Sequence, residues 1–135
     1  MYDAIIGKNP EVFEEELNKL LIETISFNDA YENFYHGFVT GSLMNMHNYI
    51  VKSNRECGTG RSDLFIKSVS KRGIAIVIEF KIAKDIDELE KRADDALKQI
   101  KDKKYDEELR SEGYKNIVCY GISFYQKDCL IKMIN

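Results

Sequence analysis

Three ionisable residues combine type and spacing in a way that points to chemistry. Glu79 and Lys81 close the run Ile74-Ala75-Ile76-Val77-Ile78-Glu79-Phe80-Lys81-Ile82, which is otherwise apolar and largely β-branched. Side chains alternate faces along a strand, so Ala75, Val77, Glu79 and Lys81 share one side. A carboxylate and an ammonium placed in such a run cost several kcal/mol to desolvate, about the effective penalty for buried ions, unless something compensates them. Asp63 opens the preceding strand-like segment, just after Gly58-Thr59-Gly60-Arg61. A hairpin closed through Gly73 would bring Asp63 to the Glu79 end of its neighbour. Two converging carboxylates suit a hard divalent cation bound through oxygen, with Mg²⁺ (or Mn²⁺) the natural choice because it also takes water and phosphate oxygens. A structural ion pair at a strand end is the other reading, and the residues alone leave both open.

The elements that must position these groups follow from periodicity. Asn9-Pro10 with Glu11, Glu14, Glu15 and Glu16 predicts a helix start, with a cap, a proline at the first turn and acids at the positive dipole end. Phe13, Leu17, Leu20, Leu21 and Ile25 continue it as one apolar stripe. A break at residues 26–29 precedes a second helix over residues 30–47, apolar around much of its circumference. Strands are expected at residues 49–54, 62–69, 74–82, 116–125 and 129–134, with a glycine-bearing turn at residues 57–60. The third run has the character of a central strand covered on both faces. A helix over residues 86–103 shows Leu89, Ala93, Ala96, Leu97 and Ile100 on one face, and a short helix and exposed loop follow before Gly113. The order α-α-β-β-β-α-β-β defines one α/β domain over residues 1–135, with an N-terminal helix (1–25) and a core (26–135). Its mixed sheet is flanked by helices, and the strand after the long helix returns parallel to the central strand.

Composition narrows the function classes. The 135 residues carry 44% apolar side chains, enough for a core without staples. The formal net charge is −3, so a polyanion would be met through a local patch or metal ions, not bulk attraction. Cys57, Cys119 and Cys129 lack zinc-ligand or CxxC spacing and read as reduced thiols, Cys119 as a small buried hydrophobe. No apolar stretch approaches the ~18 residues of a membrane span, and no signal-peptide pattern is present. A soluble cytoplasmic protein with no membrane partner is expected. No GxxxxGK[ST] loop occurs, so no ATPase activity is expected of this chain.

Several ordered motifs carry a family resemblance. Gly60-Arg61-Ser62-Asp63, Ile78-Glu79-Phe80-Lys81 and Ala96-Leu97-Lys98-Gln99-Ile100 with Lys104-Tyr105 resemble the PD-(D/E)XK nuclease superfamily. Tyr31-Glu32-Asn33-Phe34-Tyr35-His36-Gly37 and Ser53-Asn54-Arg55-Glu56 extend the likeness to the nuclease-like domain at the C-terminus of bacterial AAA-ATPase-like proteins. The resemblance spans about residue 26 to the end and implies a restriction-endonuclease-like core. It implies Mg²⁺-dependent hydrolysis of nucleic acid, DNA first, leaving a 5′-phosphate and a 3′-hydroxyl. Asp63 and Glu79 match the metal carboxylates, and Lys81 matches the lysine that orients or activates water. The Phe80 backbone carbonyl is a further metal-ligand candidate. A homodimer and an ATPase-type partner domain are the assemblies it suggests. An idle nucleic-acid-binding or interaction module, or a partner-dependent fragment, is the alternative.

Other residues have two readings each. Glu32 is an accessory catalytic carboxylate by resemblance, whereas Asp29-Ala30-Tyr31-Glu32 also fits a capping box. Gln99, Arg92 and Lys103 fall along one edge of the long helix. Similar glutamine-tyrosine motifs in RecB-like nucleases face the active site and the nucleic acid, and a solvated flank is the rival. The Gln99–Tyr105 spacing is longer than QxxxY. Lys98, Lys101, Lys103 and Lys104 form a candidate basic patch or a wet face. Arg61 suits a phosphate oxygen or a pairing with Glu56, itself a weaker candidate for the same cleft. His36 reads as a hydrogen-bonded packing residue and His47 as a helix-end residue.

Overall fold

The apolar run Ile74–Ile82 forms β3, the middle strand of a five-stranded sheet. The computed structural model describes residues 1–24, 32–56 and 61–135, with the side chains of residues 32, 33, 55, 56, 61 and 62 outside that description. The sheet order is β1 (Tyr49–Glu56), β2 (Arg61–Ser68), β3, β4 (Asn116–Tyr125), β5 (Asp128–Ile134). β1, β2 and β3 are antiparallel neighbours, β4 runs parallel to β3, and β5 returns antiparallel to β4. This is the mixed sheet expected from the sequence. Ile74 to Phe80 are all buried, as a central strand covered on both faces requires. The expected break at 26–29, the capping box at 29–32 and the turn at 57–60 lie outside the described residues.

The two sides of the sheet bury different helices. Leu64, Ile66, Ile76, Ile78, Phe80, Tyr120 and Ile122 pack in one cluster with residues of α1 (Tyr2–Ile6), α2 (Pro10–Thr24) and α3 (Glu32–Leu43). Phe65, Ala75, Val77, Ile117 and Cys119 form the other, under Leu97 and Ile100 of α4 (Leu89–Asp102) and Tyr105 and Leu109 of α5 (Tyr105–Ser111). Cys119 is buried, and desolvation pushes its thiol up to about 11, which suits a packing role. Cys57 lies outside the described residues.

Several boundaries differ from the expected ones for identifiable reasons. α1 was not anticipated: five residues are too few for a periodic stripe. Tertiary contacts hold it, with Ile5 fully buried and its carbonyl accepting from Tyr120 Oη at 2.7 Å. α2 starts at Pro10 as expected, and Asn9 Oδ1 accepts from Val12 N at 3.2 Å. The second long helix stops at Leu43, and Asn48 turns the chain into β1 at φ 67°, a left-handed conformation asparagine tolerates. The expected helix over residues 86–103 divides into a 3-10 turn, Ile86–Glu88, and α4. The Asp85 carboxylate caps the turn, accepting from Glu88 N at 3.1 Å. No helix among the described residues is long and apolar enough to cross a membrane.

The outer edge of β5 is closed by side chains imitating a strand. Asn18 of α2 donates to the Cys129 carbonyl at 3.2 Å and accepts from Cys129 N at 2.8 Å. Glu14 accepts from Ile131 N at 2.8 Å. Edge strands left bare invite pairing with other chains, so this cover also protects solubility. Asn18→Ala strands the Cys129 N–H and carbonyl, and the expected loss is about 1–3 kcal/mol of unfolding free energy. Urea denaturation checks it, and an unchanged midpoint would show that the pair contributes nothing.

Candidate functional site

β2 and β3 bring Asp63 and Glu79 directly opposite each other. They are register partners across the antiparallel pair, on the same face as Phe65 and Val77, and both are fully buried. Directly opposed residues place their Cβ atoms about 4.5–5.5 Å apart. The Gly73 turn (Gly73 N to Ser70 O, 3.0 Å) sets that register. The β2–β3 ladder ends at this pair. The β1–β2 ladder continues to Glu56–Arg61 and the β3–β4 ladder to Ile82–Phe124, so β2 and β3 part just beyond the two acids. Half-buried Lys81 stands past the point of parting, on the same face of β3 as Glu79. Asn54 is the β1 register partner of Asp63, so a polar row crosses Asn54, Asp63 and Glu79.

α4 roofs this row unusually closely. Gly121 is the β4 register partner of Glu79. A Cβ at Gly121 would lie 2.5 Å from the Ala93 carbonyl oxygen, 3.0 Å from Leu97 Cγ and 3.1 Å from Ala96 Cβ. Only glycine admits the helix backbone at that distance. Two residues further along, fully buried Ser123 donates to the Leu89 carbonyl at 2.6 Å and ties down the start of α4. The helix is thereby low enough for Gln99 to reach the acids. Gln99 Nε2 donates to Glu79 Oε1 at 3.1 Å, and Lys81 Nζ donates to Gln99 Oε1.

The remaining candidates separate into several placements. Arg92 donates from Nε to the Ile82 carbonyl and from Nη1 to Asp95, each at 3.2 Å, which holds it at the end of β3. Lys103 is exposed at the end of α4, one turn beyond Gln99. Within the expected basic patch, Lys101 is bound to Asp106 at 2.7 Å. Burial works against ionisation of Asp106. The Lys101 hydrogen bond and charge, with backbone N–H groups, nevertheless hold its carboxyl below the usual value. Tyr105 is a core residue, its ring edge-on to Phe65 at 5.6 Å between centroids. His36 is buried, hydrogen-bonded to Ser53 Oγ and edge-on to Phe80, as a packing residue would be. Glu32, Glu56 and Arg61 have backbones in α3, β1 and β2, but their side chains lie outside the described residues.

Sequence reading passed over Gly121 and Ser123. A glycine inside an apolar strand is a usable sign of close backbone approach, and Gly121 carried it. Ser123 carried none, because serine in a strand is common and its partner is remote in sequence.

An α/β domain with a mixed sheet, helices on both faces and acids at a strand fork is consistent with a restriction-endonuclease-like fold. A family model described as the PD-(D/E)XK nuclease superfamily matches residues 30–133, and the chain belongs to that superfamily. Comparison with curated proteins and with solved structures returns no match.

Proposed function

We propose that the chain is a metal-dependent phosphodiesterase that hydrolyses nucleic acid, DNA first, at Asp63, Glu79 and Lys81. One observation carries this reading: two fully buried carboxylates face each other where β2 and β3 part, with a lysine on the same face. Two carboxyl groups that face each other in low dielectric favour a cation between them. The donors fit a hard divalent ion, being oxygen alone. Among the described residues no three acidic, histidine or cysteine side chains gather as a closed metal cage. Mg²⁺ or Mn²⁺ would be held by the two carboxylates with the Phe80 carbonyl in support, and would take substrate phosphate oxygens as further ligands. When bound, the ion supplies Lewis-acid polarisation of the phosphate and a more acidic water. Lys81 orients the attacking water and offsets charge that builds on the phosphate during in-line displacement. Glu32 serves as an accessory carboxylate. Arg61, Arg92 and Lys103 meet flanking phosphates, and Gln99 stands at the border between that track and the acids.

The net charge of −3 favours a second reading, an idle module or one that works only with a second copy or an ATPase-type partner supplying the basic footprint. A nicking assay on plasmid and single-stranded DNA, with Mg²⁺ or Mn²⁺ and with chelator, decides between them. Ion-dependent cutting by the chain alone is the expected result. A protein that binds neither ion and cuts nothing would establish the second reading.

A further inference from the structure

Lys81 and Glu79 are two residues apart on one face of β3, which separates their Cα atoms by about 6.6 Å. Both side chains are long enough to meet directly at that spacing. Gln99 instead reaches between them from α4, donating from Nε2 to Glu79 Oε1 at 3.1 Å and accepting from Lys81 Nζ through Oε1. The chemistry of the partners fixes the orientation of the amide. Reversed, it would aim N–H groups at an ammonium and an oxygen at a carboxylate. An uncharged spacer satisfies one site on each group and brings no charge of its own. Gly121, the register partner of Glu79, admits the helix that carries the spacer.

We infer that Gln99 is a positioning residue: its amide keeps Lys81 and Glu79 from collapsing into a direct ion pair, so that neither charge is spent on the other. Collapse would spend both charges on each other, because an ammonium is a poor competitor to lose once it sits on a buried carboxylate. The role differs from a contact to nucleic acid, since both ends of the amide are turned to protein groups. It rests on the proposed nuclease reading for what the two separated charges then meet, a cation and a phosphate.

Gln99→Leu tests the inference, since leucine fills a similar volume without either hydrogen bond. Gln99→Asn, which keeps the amide but shortens its reach, serves if the leucine variant does not fold. A crystal structure of the variant should show Lys81 Nζ within about 4 Å of a Glu79 oxygen, the limit for an ion pair. Calorimetric Mn²⁺ affinity should fall about 10–100-fold, the usual cost of losing a group that orients a metal ligand. Affinity for a DNA duplex, read by fluorescence anisotropy in Ca²⁺, should fall only together with the ion affinity, because the ammonium that meets a phosphate is then spent on Glu79. Weakened duplex binding with unchanged Mn²⁺ affinity would overturn the inference in favour of a nucleic-acid contact. Lys81 and Glu79 remaining apart in the variant would overturn it as well. A wild type that binds no Mn²⁺ sinks the nuclease reading alone, and closure of the pair in the variant would still uphold the spacer.

Discussion

Asp63→Asn is expected to abolish ion-dependent cleavage while leaving the fold as stable as the wild type, or more so, in chelator. The activity loss follows from removing one of two carboxylates that face each other at the fork of β2 and β3. Lys81→Ala should retain ion binding but lose about 10²–10³-fold in rate, the usual scale for one group stabilising transition-state charge. The stability half discriminates more sharply. Asp63 and Glu79 are two fully buried acids that face each other, so an amide in place of one keeps its shape and removes one of the two acids from the interior. A structural ion pair predicts the opposite, a loss of about 3–5 kcal/mol when one partner leaves the other buried and uncompensated. Adding Mn²⁺ reverses the order: at a hundredfold excess over Kd the wild type gains about 2.7 kcal/mol and the variant does not. Calorimetric melting of both proteins, with ion and with chelator, checks all four values. A variant that melts far below the wild type in chelator would show that Asp63 is a structural residue.

Gly121→Val should cost the most stability of any single change near the site. Its Cβ alone would sit 2.5 Å from the Ala93 carbonyl oxygen, a backbone atom that cannot rotate away. Two further methyl carbons would press on Leu97 and Ala96, so α4 must lift from the sheet. Overpacking of this kind costs about 1–3 kcal/mol, and loss of the helix seat adds to it. Lifting α4 also withdraws Gln99 from Glu79 and Lys81, so a folded remnant should bind Mn²⁺ poorly. Urea unfolding and Mn²⁺ titration measure the two losses. A valine variant with a wild-type midpoint would show that α4 does not depend on this approach.

Much of this arrangement is legible in the sequence, and the reason is local. β3 was readable because β-branched residues run almost unbroken from Ile74 to Ile82. The facing of Asp63 and Glu79 followed from strand alternation and a short hairpin at Gly73, two short-range rules. The parallel return of β4 beside β3 followed from a single long helix between them. What escaped was long-range. α1 is held by Tyr120, remote in sequence, not by its own pattern. Helical counting put Gln99 on the edge of the stripe, but the depth of its reach depends on Gly121 and Ser123 across the domain. The Gln99–Tyr105 spacing, longer than QxxxY, leaves the role of Tyr105 open in the sequence, and its ring packs edge-on to Phe65 in the core.

Asp63 and Glu79 should hold one ion between them. Crystals soaked in Mn²⁺ and measured for anomalous scattering would locate it directly. A single anomalous peak within about 2.0–2.4 Å of both carboxylates, the range for hard oxygen ligands, and absent from Asp63→Asn crystals, is the result predicted. Peaks only at surface acids such as Glu90 and Asp94, with none between Asp63 and Glu79, would contradict it.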